Sequence, residues 1–504
     1  MSGPAATIFF LPGLGFGAAA VDPIAAALGD RFRVIGIDLP GHDGAPDAPD
    51  GSVSSLADAA LAFIEAESDG GPWLLLAHSM GGKVAALVTS RVLGGEANAY
   101  GLAGSVLLAP SPPSPEPMDD DKRAEMLAWA SEAELSFDVL RDGGISQQHA
   151  REFVAQNVAT PLRADAESAA LGQVRRMSPL SWRRWLTEGS LENLSDTLGA
   201  LDLPVLVLAG DDDDDLGSTA QPPLLAEVYP RARFRSFAST GHLLPYEQPD
   251  AVAASITEFW QTTASAAPRV DPEWGRVIAS ARTAAEARGL LATRAIADDA
   301  DYTPDALTPA QLTTLRALAD RIVPQSSAPH IDLAARVDAD IAAGNGDGWR
   351  PEGLPDDASA YRLGLDAIAA AWPQDGAAQD ALIERIIAGD GIAGNGLTGA
   401  FSAAHLTSWF EDARLDLTRA WLAHPASLAR IGYDGFATSG PGIADAGDAS
   451  SDSAGYVTLA AGRRDPWEPT ELGALASDDQ AEPRAAETDN PTDSTGDAGK
   501  ETLA

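Results

Sequence analysis

The stretch Trp73-Leu-Leu-Leu-Ala-His-Ser-Met-Gly-Gly-Lys-Val-Ala85 decides the fold of this 504-residue chain. An unbroken apolar run, followed at once by small residues and a helix-favouring tract, reads as a buried strand, a sharp turn and a helix, with Ser79 at the turn. A turn this tight strains the backbone at its apex, so the flanking residues must be small, and here they are Ala77 and Gly81. A helix that begins just past Ser79 aims its first amides and its dipole at any negative charge that develops beside the hydroxyl. Serine alone is a weak nucleophile, so a base and an orienting acid must come from later in the chain.

The same rhythm of strand and helix extends outward. Apolar runs at Thr7–Leu11, Arg33–Asp38, Trp73–His78, Ser105–Ala109, Val205–Ala209 and Arg233–Phe237 alternate with Ala-rich stretches. This alternation predicts an α/β fold on a doubly wound, mostly parallel sheet. Pro12-Gly13, Pro40-Gly41, Gly81-Gly82, the run Pro110–Pro117 and Gly210 punctuate the ends of the runs. From about residue 114 to 203 the alternation stops, and a stretch bearing Trp129, Trp182, Arg183, Arg184 and Trp185 reads as an inserted helical cap. The first domain is placed at residues 1–262.

The expected base is His242, in Ser239-Thr-Gly-His-Leu-Leu-Pro-Tyr-Glu-Gln-Pro249, on a loop between the last strand and a final helix. The acid is expected after the strand Val205–Ala209, where Asp211–Asp215 supplies five candidates. Position in the loop favours Asp213, with Asp212 and Asp214 as the alternatives, and the remaining aspartates are expected to be solvated surface charges. Two amides are needed for an oxyanion: Met80, next to Ser79, and one from the loop Leu11–Gly17, assigned to Leu14. His42 reads as a structural loop residue, and His78, as the strand neighbour of Ser79, is expected to point to the opposite face.

A net charge of −40 argues against nucleic acid or an anionic membrane as partner. The absence of cysteine excludes disulfides, thiolate catalysis and thiolate metal sites. No tract is apolar for long enough to span a bilayer. The Gly-rich loop Leu11–Gly17 lacks a following Lys-Ser or Lys-Thr, and no GxGxxG is present, so no nucleotide, metal or other cofactor is expected. The N-terminal residues enter the run Thr7–Leu11 without a basic region or a cleavage site, and a cytoplasmic location is expected. Lysine occurs only at Lys83, Lys122 and Lys500.

Leu11-Pro-Gly-Leu-Gly15, Asp38-Leu-Pro-Gly-His42, Ala77-His-Ser-Met-Gly-Gly-Lys-Val-Ala85, Gly210-Asp-Asp-Asp213 and Gly241-His242 resemble the successive motifs of α/β-hydrolase esterases, with Ala77 where glycine is usual. The resemblance implies a catalytic triad of Ser79, Asp213 and His242. It further implies acyl transfer from a small-molecule carboxylic ester or lactone, the Leu14 and Met80 amides holding the oxyanion. Serine at the turn weighs against haloalkane dehalogenases and epoxide hydrolases, whose relatives carry aspartate there.

The second half reads as a linker and helical connector at 263–306, a mostly α-helical domain at 307–475 and a disordered acidic tail at 476–504. Thr308-Pro-Ala-Gln311 combines an N-cap, a first-turn proline and a capping-box glutamine, and opens a helix with Leu312, Leu315, Leu318, Ala319 and Ile322 on one face. Further helices are expected at Ile331–Ala343, Ala358–Ala370, Ala377–Ala388 and Ala403–Leu422. The tracts Leu307–Pro324, Phe401–Trp409, Ala423–Tyr433 and Gly462–Pro469 resemble subunit 3, the small subunit of gluconate 2-dehydrogenase-like flavoprotein complexes. That resemblance implies a partner module for a separate flavin-dependent, GMC-type sugar or alcohol dehydrogenase. Such an enzyme makes a lactone that an attached esterase would open. His424 reads as structural, Trp409 and Trp421 as core, and Trp349, Trp372 and Trp467 as either core or partner anchors. The rival reading is a catalytically idle scaffold or maturation subunit of the flavoprotein complex.

Overall fold

Six strands run parallel in the order β2-β1-β3-β4-β5-β6. They are β1 (Thr7–Leu11), β2 (Arg33–Gly36), β3 (Trp73–His78), β4 (Leu102–Leu108), β5 (Val205–Gly210) and β6 (Ala232–Phe237). The computed structural model describes residues 4–135, 144–280, 283–326, 328–345, 351–390, 392 and 401–433, together with the short paired strands Arg463–Arg464 and Ala474–Leu475. β1, β3 and β5 are buried along their whole length, which is why they read as continuous apolar runs and not as alternating ones. β6 lies at one edge and exposes Arg233–Ser236, whose arginines make that edge a poor template for another strand. β4 begins earlier than the sequence reading places it. Gly104 lies within it, where a Cβ would come 2.8 Å from the Pro204 carbonyl, so the glycine marks close backbone approach and not the end of a strand.

The order of the strands locates the site. The chain winds from β1 to β2 on one side and then crosses to β3 on the other, so the switch point lies between β1 and β3. Leu11 and Ala77 are partners in the register at the carboxyl ends of these strands. The loop after β1 and the turn after β3 therefore emerge side by side.

Flanking helices cover the sheet. Val53–Glu67 packs against Met80–Leu93, burying Val53, Leu56, Ala57, Ala60, Leu61 and Ile64 at helical spacing. Asp22–Leu28 packs against Pro249–Phe259. Between β4 and β5 the helices Asp120–Leu135, Gln147–Gln156, Ala164–Arg176 and Pro179–Thr187 form the expected cap. Its core is aromatic: Trp182 is fully buried, meets the Phe153 ring edge-on at 5.1 Å and donates its indole N–H to the Met126 carbonyl at 2.9 Å.

Beyond β6 the chain turns back on itself. The segment Thr263–Pro272 leads from a π-helical turn, Trp260–Ala264, into the helices Pro272–Ala279 and Ala285–Arg294. The latter packs on Met80–Leu93 so closely that a Cβ on Gly95 would meet the Ala285 carbonyl at 1.9 Å. Arg288 fastens the contact, its guanidinium donating to the carbonyls of Gly95 and Ser280.

A second hydrophobic core follows, built by the helices Pro309–Ile322, Leu333–Ala343, Asp357–Ala369, Gly376–Ile387 and Ala403–Leu422. Thr308 and Gln311 form the capping box that the sequence predicts. Trp409 is fully buried against the Tyr361 ring at 5.5 Å, and Gly364 makes room for it, since a Cβ there would lie 2.2 Å from the indole. Trp372 and Trp421 pack on the rim of the core, while Trp349 and Trp467 lie outside the described residues. Residues Met1–Tyr456 form one compact unit and Val457–Ala504 another. The proposed limits at 262 and 307 therefore fall inside the first unit, and the proposed tail 476–504 lies outside the described residues. Among the described residues no helix is long and apolar enough to cross a membrane.

One buried carboxylate ties the connector to the second core. Asp338 accepts hydrogen bonds from the Tyr302 hydroxyl at 2.7 Å, the Asp305 amide at 2.8 Å and the Leu307 amide at 2.7 Å. Replacing it by alanine strands these donors. Asp338→Ala is expected to cost about 3 kcal/mol, read as a lower denaturant midpoint for the phase that reports the second core, whereas Asp340→Ala on the exposed face of the same helix leaves that midpoint nearly unchanged.

Candidate active site

Ser79 adopts φ 51° and ψ −122°, a conformation that L residues avoid, and the surrounding backbone holds it there. Its amide donates to the Leu108 carbonyl at 3.0 Å, and its carbonyl accepts from the amides of Gly82 at 2.7 Å and Ser111 at 2.9 Å. The glycines that follow are dictated by crowding. A Cβ on Gly81 would lie 2.4 Å from the Leu11 carbonyl, and one on Gly82 would lie 2.3 Å from Pro110. On the other side Gly13 passes so close that its Cβ would lie 2.9 Å from the Ser79 Cβ. The turn is thus clamped between the ends of β1 and β4.

The loop after β6 brings His242 to the same place. Its amide and that of Leu243 donate to the Asn157 carbonyl of the cap, at 2.9 and 3.1 Å. Gly241 permits this approach, since a Cβ there would meet the Asn157 carbonyl at 2.9 Å. His242 Nδ1 lies 2.7 Å from Asp213 Oδ2. The other Asp213 oxygen accepts from the amides of Asp215 at 3.2 Å and Leu216 at 3.1 Å. Both side chains are shielded, with 13% and 6% of their surface exposed.

Of the five aspartates the fold therefore turns Asp213 inward. Asp211, Asp212 and Asp214 are exposed, and Asp211 accepts from the Ser218 hydroxyl. Asp215 departs from the expected solvated charge: it pairs with Lys122 of the cap at 2.6 Å.

Burial and charge oppose each other at the pair. Burial alone would raise the Asp213 carboxyl, but the His242 charge, the hydrogen bond and the two amides lower it to about 2. At His242 burial works against the imidazolium, yet the Asp213 charge and hydrogen bond, helped by Glu116, raise its pKa above the ordinary 6.5. The carboxylate thus fixes the proton on Nδ1 and leaves Nε2 as the acceptor.

His78 is placed differently from the expectation. It does not point away from the site: its Nε2 donates to the His242 carbonyl at 2.9 Å, and the two rings lie 5.1 Å apart. Alternation of faces holds only along an extended strand, and the left-handed turn at Ser79 ends it. Burial lowers the His78 pKa to about 3, so this ring stays neutral beneath the His242 loop. His42 is a loop residue as expected, buried, with Nδ1 2.9 Å from the Pro40 carbonyl.

Ser79, His242, Asp213 and Leu14 line one cavity of about 450 Å3 together with cap residues. Met80 is the first residue of its helix, so its amide has no intrahelical acceptor and lies beside the serine. Apolar walls come from Met118, Met126, Phe153, Trp185 and Leu216, and polar groups from Glu116, Lys122, Asn157 and Asp215. The sequence reading misses Glu116, which sits in a proline-rich loop with no signal besides its charge. It also passes over Lys83, one turn beyond Ser79. Lys83 is fully buried, and its ammonium donates to the carbonyls of Gly189, Ser190 and Glu192 of the cap at 3.2, 3.1 and 2.8 Å. Among the described residues no cluster of three His, Cys, Asp or Glu side chains is arranged to hold a metal ion.

Residues 8–255 match the Alpha/beta hydrolase family. Solved structures similar to the chain include a thermophilic esterase from Thermogutta terrifontis, bound to malate, with 21% identity over 52% of this chain and 91% of that one, at a TM-score of 0.43. An esterase from Exiguobacterium antarcticum shares 15% identity over 52% of this chain and 94% of its own, also at 0.43. MenH from S. aureus shares 20% identity over 52% and 95%, at 0.38. No curated protein sequence matches the chain.

The balance at His242 gives a signed expectation. With Asp213 present the imidazolium is favoured, so its stabilisation is complete below pH 6.5 and is lost as pH rises through the higher folded-state pKa. In Asp213→Asn burial dominates, and the His242 ring resonances followed by NMR should titrate below 6.5 instead of above it. A pKa that stays put in the variant would show that another group holds the ring.

Proposed function

We propose that this alpha/beta hydrolase domain cleaves a carboxylic ester or lactone through an acyl-enzyme. The observation that carries the reading is Ser79, on its strained turn, sharing one cavity with a His242 whose Nδ1 is bonded to the Asp213 carboxylate at 2.7 Å. His242 Nε2 takes the hydroxyl proton as Ser79 Oγ attacks the carbonyl carbon. The oxyanion so formed is met by the amides of Met80, at the helix start beside Ser79, and of Leu14, a residue lining the same cavity. His242 returns its proton to the departing alcohol oxygen, which leaves as free alcohol or, from a lactone, remains tethered as a hydroxyl. Water, deprotonated by His242, then attacks the acyl-enzyme, releasing the acid and restoring Ser79.

The helical part is assigned to a second task. Its resemblance to gluconate 2-dehydrogenase subunit 3 supports a docking role toward a flavin-dependent dehydrogenase, and Ile387, Leu415 and Ile431 are apolar side chains it leaves exposed. His424 takes no part in this role, because it is buried as the N-cap of Pro425–Arg430, accepting the Ala426 amide at 3.1 Å.

Two measurements test these readings. A fluorophosphonate probe should label the folded protein at Ser79, and Ser79→Ala should lose label and ester hydrolysis together, with Asp213→Asn reducing kcat by roughly 10^3 to 10^4. An inert Ser79 would support the idle scaffold. A flavoprotein encoded beside this chain should co-purify with it stoichiometrically, and failure of the co-expressed pair to associate would remove the docking role.

A further inference from the structure

Glu116 is a carboxyl group in a cavity of mixed polar and apolar walls, and it is held by hydrogen bonds at both its backbone and its side chain. Its amide donates to the Ser190 carbonyl at 2.8 Å, and its Oε2 accepts the Ser111 hydroxyl at 2.6 Å. Each partner leads back to the strained turn. The Ser111 amide donates to the Ser79 carbonyl at 2.9 Å, and the Ser190 carbonyl also receives the ammonium of Lys83 at 3.1 Å. A closed hydrogen-bonded circuit thus fixes the carboxyl relative to the nucleophile.

Only half of the carboxyl is used. Oε1 has no hydrogen-bond partner among the described residues, although the side chain lines the same cavity as Ser79 and His242. An acceptor left open in such a place favours a ligand that brings a donor, and it penalises one that buries it without a donor. Burial raises the Glu116 carboxyl above its ordinary pKa, outweighing the Ser111 hydrogen bond and the charges of Lys83, His242 and Arg123, and Lys122 on the same wall is paired with Asp215. A carboxyl biased in this way toward its neutral form offers little charge to repay the desolvation of a cation. A neutral hydroxyl fits better.

We infer that Glu116 is a specificity-determining residue that accepts a hydrogen bond from a hydroxyl group on the substrate, so that the site selects hydroxylated esters or lactones over their unsubstituted analogues. This rests on the hydrolase reading above.

The test compares matched substrates on the full chain. On the acyl side these are the para-nitrophenyl esters of butyrate, beta-hydroxybutyrate and beta-aminobutyrate, and on the alcohol side ethyl and hydroxyethyl butyrate. In at least one pair the hydroxylated ester is expected to have a kcat/KM higher by about tenfold or more. That ratio should fall toward one in Glu116→Leu and be partly kept in Glu116→Gln, which retains an acceptor oxygen. Should Glu116→Leu not fold, the wild-type ratios and Glu116→Gln decide. Ratios near one in both pairs, a ratio unchanged in Glu116→Leu, or a preference for the amino ester over the hydroxy ester would each overturn the assignment while the hydrolase reading stands. A protein that turns over none of these esters and whose Ser79 ignores a fluorophosphonate would overturn both.

Discussion

Ser79 is held at φ 51° by a clamp of backbone contacts, and the geometry of the first half follows from that clamp. Such a conformation costs about 1–3 kcal/mol and persists only where the surroundings over-determine it. Here the ends of β1 and β4 supply the restraint, through Leu108, Ser111 and the close passage of Gly13 and Gly81. Because the parallel order places β1 and β3 side by side at the switch point, the loop carrying Leu14 must arrive at the serine. A sheet wound differently would leave the turn without its second wall.

Charge is then balanced at the buried Asp213–His242 pair. Asp213 is kept ionised by His242 and two amides, and His242 is biased toward the cation by Asp213 against its own burial. His78 is excluded from titration by the same burial and serves as a neutral donor beneath the loop. Lys83, pulled down to about 8 by burial, spends its N–H groups on three cap carbonyls. In a chain so poor in lysine, both lysines of the first half bear on the cap: Lys83 from below and Lys122 from within it.

Charged and polar contacts link the connector to both cores, beside a small apolar cluster of Tyr100, Ile278, Leu291 and Ala292 on which Leu93 and Leu428 pack. Arg233 meets Asp301 at 2.7 Å, Arg336 meets Asp298 at 2.8 Å, and Arg231 donates to the Ala297 carbonyl at 2.8 Å. The partly exposed pairs contribute little individually. The firmer attachment is the buried one, Arg288 against the carbonyl of Gly95, which seats the connector on the helix that starts at Ser79. That helix carries load from both parts of the chain.

The sequence by itself determined the parallel α/β architecture, the turn at Ser79 and the capping box at Thr308, because each is encoded locally: a buried run, small flanking residues, a cap spaced for its helix. It also identified the loops that hold His242 and Asp213, since position after a strand sets where a loop emerges. Loop position favoured Asp213 among the five aspartates, but only tertiary structure supplies what holds it inward, the Leu216 amide and a His242 arriving from another loop. Tertiary structure alone placed His78 under the site, where the turn overrides strand periodicity. It alone gave the Glu116 amide and the Lys83 ammonium their partners, cap carbonyls more than seventy residues away from either, and hydrogen bonds over such separations leave no periodicity or spacing in the sequence to read.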